Sequence, residues 1–121
     1  MFGNDVGYIV GSACNALDDV AVAAITIAEL RVGVLLSTGK RRRTRQAFLD
    51  EVLVTIPILN YDLDVAEAHA ELLAEVRRQG SPRGAHDLVI AATARATRRV
   101  VTTADLTAFD QLPGVKVRFH R

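Results

Sequence analysis

Short apolar runs separated by longer amphipathic stretches predict an α/β fold with a mostly parallel sheet flanked by helices. Two observations carry this. Candidate strands at Val20–Ile25, Ile56–Leu59, Val100–Thr102 and Val115–Phe119 are interleaved with helical stretches. The first of them, Val-Ala-Val-Ala-Ala-Ile, is apolar throughout, as a strand covered on both faces is. At 121 residues the chain is one domain, long enough to bury a core.

The elements follow in order. Residues 1–17 hold three glycines and no sustained period, and Val6–Val10 reads as a short strand weakened by Gly7. Asp18 and Asp19 punctuate the start of the Val20 strand. Thr26-Ile-Ala-Glu29 has the spacing of a capping box, so a helix is expected from Ile27 to about Leu36, stopped by Gly39. A second helix, from about Lys40 to Leu53, has Phe48, Leu49, Val52 and Leu53 on one stripe. Pro57 marks Ile56–Leu59 as an edge strand or a strand start. Asp62 can cap a third helix, Leu63 to about Gln79, whose apolar face holds Val65, Ala66, His69, Leu72, Leu73 and Val76. Gly80–Gly84 is a loop by composition, and an alanine-rich helix runs from about Ala85 to Thr97. After the Val100 strand, Asp105–Leu112 is a turn or short helix, and Pro113-Gly114 leads into the last strand.

Composition narrows the function. Fifteen basic residues against 14 acidic give a net charge of +1, so any anionic partner must find a local cluster. Six aromatic residues and no Trp argue against a base-stacking surface. The single cysteine, Cys14, excludes an internal disulfide and suits a reducing, cytoplasmic setting. No apolar run approaches the roughly 18–20 residues of a membrane span.

Three acids fall where such a sheet builds sites, beyond the carboxyl ends of its strands. Glu29 follows the Val20 strand, Asp87 opens the alanine-rich helix, and Asp105 follows the Val100 strand. Converging carboxylates repel unless a cation offsets them, and hard oxygen donors suit Mg²⁺ or Mn²⁺. Each also has an ordinary reading. Glu29 can complete the capping box, Asp87 can complement a helix dipole, and Asp105 can cap the turn.

Taken together, Thr26-Ile-Ala-Glu-Leu-Arg-Val-Gly33, His86-Asp-Leu-Val-Ile-Ala-Ala-Thr-Ala94 and Val101-Thr-Thr-Ala-Asp-Leu-Thr-Ala-Phe109 resemble successive motifs of PIN-domain ribonucleases, in the family's order. The likeness is to VapC-type toxins of type II toxin–antitoxin modules and covers about Asp19 to Phe119. It implies a three-layer α/β/α PIN-like domain over residues 1–121, with 1–17 atypical. It also implies a Mg²⁺- or Mn²⁺-dependent endoribonuclease with Glu29, Asp87 and Asp105 as metal ligands, an RNA substrate, a cognate antitoxin and a homodimer. The family's first motif, a strand ending in Asp followed by Thr or Ser, is not matched. The early acid here is Asp5, followed by Val6. That departure motivates a second reading, a catalytically degenerate PIN fold that binds an antitoxin without cutting RNA. A phospho-receiver domain is excluded, because its lysine just after a late strand is missing.

Other residues carry weaker signals. Lys40, Arg41, Arg42, Arg43 and Arg45 crowd a helix start, where they oppose the dipole and can attract phosphates. His69 is expected in the core or an interface. His86 is placed to support its loop or approach a phosphate, and Arg83 to meet substrate or antitoxin. The stripes Ile27–Leu30–Val34 and Phe48–Leu49–Val52 are expected to pack as a helical hairpin, with a partner groove as the second reading.

Overall fold

The computed structural model describes the backbone of Tyr8–Val10 and all of residues Val20–Phe119. Cys14, Asp18 and Asp19 lie outside the described residues. The order is β1 (Tyr8–Val10), β2 (Val20–Ala23), α1 (Ala24–Leu35), α2 (Gly39–Thr55), β3 (Ile58–Leu59), α3 (Leu63–Gln79), α4 (Ala85–Ala96), β4 (Val100–Thr103), a 3₁₀ turn (Leu106–Ala108) and β5 (Lys116–Phe119).

The strands form one sheet in the order β3-β2-β1-β4-β5. β2 pairs parallel with β3, and β4 pairs parallel with β5. β1 pairs antiparallel with both β2 and β4. Four strands therefore share one direction, as expected, and the central one opposes them. The link from β1 to β2, residues 11–19, is shorter than the dozen or so residues a parallel crossover needs, so the reversed pairing is the geometry it permits.

Pro57 sits just before the edge strand β3, and its carbonyl accepts from the Val22 amide at 3.0 Å. The chain moves one way along the sheet from β2 to β3 and the other way from β3 to β4. Right-handed crossovers then put α1–α2 on one face and α3–α4 on the opposite one. Burial agrees. Ala23 and Val101 join a core with Val65, Leu72 and Val76 of α3 and Leu88, Ile90 and Ala92 of α4. Val22, which faces the other way along β2, is buried too, as are Val34 of α1 and Leu49 and Val52 of α2.

Local chemistry sets the helix ends. Asp62 accepts from the Val65 amide at 3.0 Å, and Gly80 closes α3 in the left-handed region at φ 65°. The buried face of α3 is Val65, Ala68, Leu72 and Val76. His69 lies beside that face, half-buried. It shares a 2.9 Å hydrogen bond with Tyr61 and meets that ring edge-on at 5.8 Å. It sits at the edge of the core rather than within it. Among the described residues no helix is long and apolar enough to cross a membrane.

Candidate active site

The acid of α1 comes first. The capping box expected of Thr26 and Glu29 does not form. β2 runs directly into α1, so the N-cap falls on Ala23, and no side chain caps it. Ala24 and Ile25 offer nothing to break the helix, and it starts a turn earlier than the spacing suggests. Thr26 is thereby drawn into the first turn, fully buried, and Glu29 into the second. Released from capping, Glu29 reaches sideways. Its Oε2 lies 3.3 Å from His86 Nδ1 at the start of α4. Its Oε1 is buried without a hydrogen-bond partner.

Asp87 stands in the first turn of α4, behind the N-cap Gly84. A Cβ at Gly84 would lie 2.9 Å from Asp87 Oδ2. The carboxylate is thus folded back over the helix N-terminus, where amides and the dipole favour a negative charge. Gly84→Ala is expected to push that carboxylate aside and to cost about 0.5–1 kcal/mol, since Ala is a much poorer N-cap than Gly. Divalent-ion affinity falling while the melting point drops by no more than about 5 °C checks this.

Asp105 ends the chain's path out of β4. Its Oδ1 accepts from the Thr107 amide at 3.1 Å and the Thr107 hydroxyl at 2.6 Å. Thr103 Oγ1 accepts from the Asp105 amide at 2.9 Å. The ordinary reading of Asp105 as a cap is realised, on an exposed carboxylate.

Topology brings these three acids to one edge of the sheet. α1 starts at the carboxyl end of β2, Asp105 follows the carboxyl end of β4, and α4 starts at that same edge. The Glu29–His86 contact ties α1 to the start of α4, one residue from Asp87. As the side chains stand, no three acids, histidines or cysteines among the described residues lie close enough to hold an ion. Glu29 is turned to His86 and Asp105 to Thr107. Asp5 lies outside the described residues.

The donor chemistry nonetheless fits a hard cation. All three groups are carboxylates, and the unpaired Glu29 Oε1 is an acceptor whose burial needs a partner to offset it.

Nearby residues take definite roles. Arg83 turns inward, donating to Ser81 O at 3.0 Å, Ser81 Oγ at 2.8 Å and Asp110 O at 2.7 Å. It ties the Gly80–Gly84 loop to the segment after the 3₁₀ turn. Of the basic cluster, Arg45 donates to Gly33 O at 2.9 Å and staples α1 to α2. Arg42 and Arg43 instead line an open cleft of about 480 Å³ with Gly39, Gln46, Ala47 and Asp50. On the outer side of α3, Arg78 and then Gln79 hold the Glu75 carboxyl below the usual range.

Sequence reasoning missed two features. The grip of His86 on Glu29 joins distant segments and leaves no local pattern. The need for a bare backbone at Gly84 was hidden in a loop called by composition.

The family model described as the PIN domain matches residues 8–115. VapC ribonuclease Y4jK of Sinorhizobium fredii is 38% identical over 98 residues, covering 78% of this chain and 70% of that protein. Toxin FitB of Neisseria gonorrhoeae is 36% identical over 97 residues, covering 77% and 70%. Among solved structures, VapBC-5 of Mycobacterium tuberculosis, a member of the VapBC family of toxin–antitoxin systems, superposes with a TM-score of 0.78 at 34% identity, covering 85% of this chain and 83% of that one. The α/β topology, the acids at the carboxyl edge and these likenesses converge: the chain belongs to the PIN-domain family, among its VapC-type toxins.

Proposed function

We propose that the chain is a Mg²⁺- or Mn²⁺-dependent endoribonuclease toxin, cytoplasmic, dimeric and neutralised by a cognate antitoxin. The observation that carries this is Glu29, freed from capping, held against the first turn of α4 and keeping one buried oxygen unpaired. A buried carboxylate oxygen without a partner is costly to the fold alone, and a bound cation would offset that cost.

Glu29, Asp87 and Asp105 would hold the ion. When bound, it supplies charge neutralisation at the phosphate and lowers the pKa of a water. The chain's own residues do the rest. Asp87 is oriented by the helix N-terminus and the bare Gly84 backbone. Asp105 is oriented by its cap on Thr107. Attack at phosphorus leaves a 3′-hydroxyl and a 5′-phosphate. Arg42 and Arg43, exposed beside their cleft, offer a salt-sensitive phosphate contact.

Partner binding has its own support. The α1–α2 hairpin exposes Val32, Leu35, Leu36, Leu53 and Val54, with Leu36 at 81% and Val54 at 85%. Exposed apolar side chains along the hairpin offer surface for a partner to cover.

The purified chain is expected to cut RNA with Mn²⁺ and to stop in excess EDTA. Cleavage that continues in EDTA would sink the reading. The degenerate, antitoxin-binding reading is favoured by one observation, that Glu29 and Asp105 each spend an oxygen on protein partners. Calorimetry separates the two. Micromolar Mn²⁺ binding supports the nuclease, and no binding supports the degenerate fold.

A further inference from the structure

Thr26 is fully buried, and its hydroxyl has no hydrogen-bond partner. Other threonines in this protein show what a helical hydroxyl does by default. Thr93 donates to Val89 O at 2.7 Å, Thr55 to Glu51 O at 2.6 Å and Thr97 to Thr93 O at 2.7 Å. Each returns its proton to the carbonyl four residues back, the ordinary local bond of this side chain. Thr26 has no such carbonyl in helical register, because four residues back is Val22, inside β2.

Valine would fill the same space without a polar atom to desolvate, and swapping an unsatisfied buried hydroxyl for an apolar group is neutral or stabilising. The hydroxyl therefore does nothing for the fold as it stands. One helical turn on, at the i+3 position that shares its face, Glu29 keeps its own buried, unpaired oxygen. A hydroxyl can donate, and a carboxylate only accepts. The two unpaired atoms are complementary, and His86 holds the carboxylate's other oxygen.

We propose that Thr26 is a positioning residue of the metal site: its hydroxyl becomes the hydrogen-bond donor to Glu29 once that carboxylate turns from His86 to a bound ion. In the ion-free protein Glu29 is parked on His86. In the loaded protein Thr26 fixes the rotamer in which Glu29 serves as a ligand. Outer partners of this kind change metal affinity about 10–100-fold. The inference rests on the metal-dependent reading above.

The test uses the full chain without RNA, titrated with Mn²⁺ in a calorimeter, with melting followed in EDTA. Thr26→Val is expected to melt no lower than wild type in EDTA and to bind Mn²⁺ about 10–100-fold more weakly. Thr26→Ser, which restores the hydroxyl, is expected to recover most of that loss. If Thr26→Val does not fold, Thr26→Ala paired with Thr26→Ser makes the same comparison. Equal Mn²⁺ affinity in wild type and the hydroxyl-free variant would overturn this role while leaving the metal site standing. No Mn²⁺ binding by wild type would overturn both.

Discussion

Asp87→Ala is expected to abolish RNA cleavage while leaving a folded protein. Asp87 sits at a helix start, where its charge contributes about 0.3–1 kcal/mol through the dipole. Behind it Leu88, Ile90 and the run Ala91–Ala94 are buried and keep their apolar contacts in the variant. Losing outer partners of a metal typically costs 10–100-fold, so loss of a ligand is expected to cost at least about 100-fold in cleavage. Circular dichroism and melting should match wild type within a few degrees. Cleavage at the wild-type rate by a folded Asp87→Ala would remove Asp87 from the site. Collapse of the fold would show that its role is structural instead.

The second large effect is on stability. Phe109 is the largest of the fully buried side chains among the described residues, at 1% exposure, and joins the α3–α4 core alongside Val101 and Leu112. Phe109→Ala is expected to cost about 3–5 kcal/mol, since the cavity adds to the lost transfer energy. That is a large share of the roughly 5–15 kcal/mol that holds a domain folded. The melting point should drop by about 10 °C or more. Leu36→Ala, at a site 81% exposed, is the control and should melt within a degree or two of wild type. A small shift for Phe109→Ala would mean that the 3₁₀ segment repacks independently of the core. The same variant should lose cleavage in proportion to unfolding only, because Asp105 keeps its cap on Thr107.

These contrasts show which parts of the molecule local sequence can specify. α3 was legible almost to the residue, because Asp62 caps its start and Gly80 takes the left-handed conformation at its end. β4, β5 and the 3₁₀ turn were legible for similar reasons, with Asp105 acting locally as the spacing suggests. The start of α1 was not. Threonine three residues before glutamate fits a capping box and also fits the first two turns of a helix already under way. Only the direct joining of β2 to α1 decides between them, and that is set by packing across the sheet. The acids themselves were legible as residues. Their hold on one another was not, because His86 reaches Glu29 from a distant segment. The direction of β1 was equally hidden. A three-residue strand beside glycines carries no orientation signal, and the neighbours on either side impose it.

That direction has a topological consequence. Tyr8 lies opposite Thr102, near the end of β4, and Val10 lies opposite Val100, at its beginning. In a uniformly parallel sheet the middle strand would make its exit beside Glu29 and Asp105. Here it makes its entrance there. The edge that carries Glu29 and Asp105 is therefore the edge at which the chain enters its central strand, so the register of Tyr8 against Thr102 is set beside the candidate site rather than at the opposite end of the sheet.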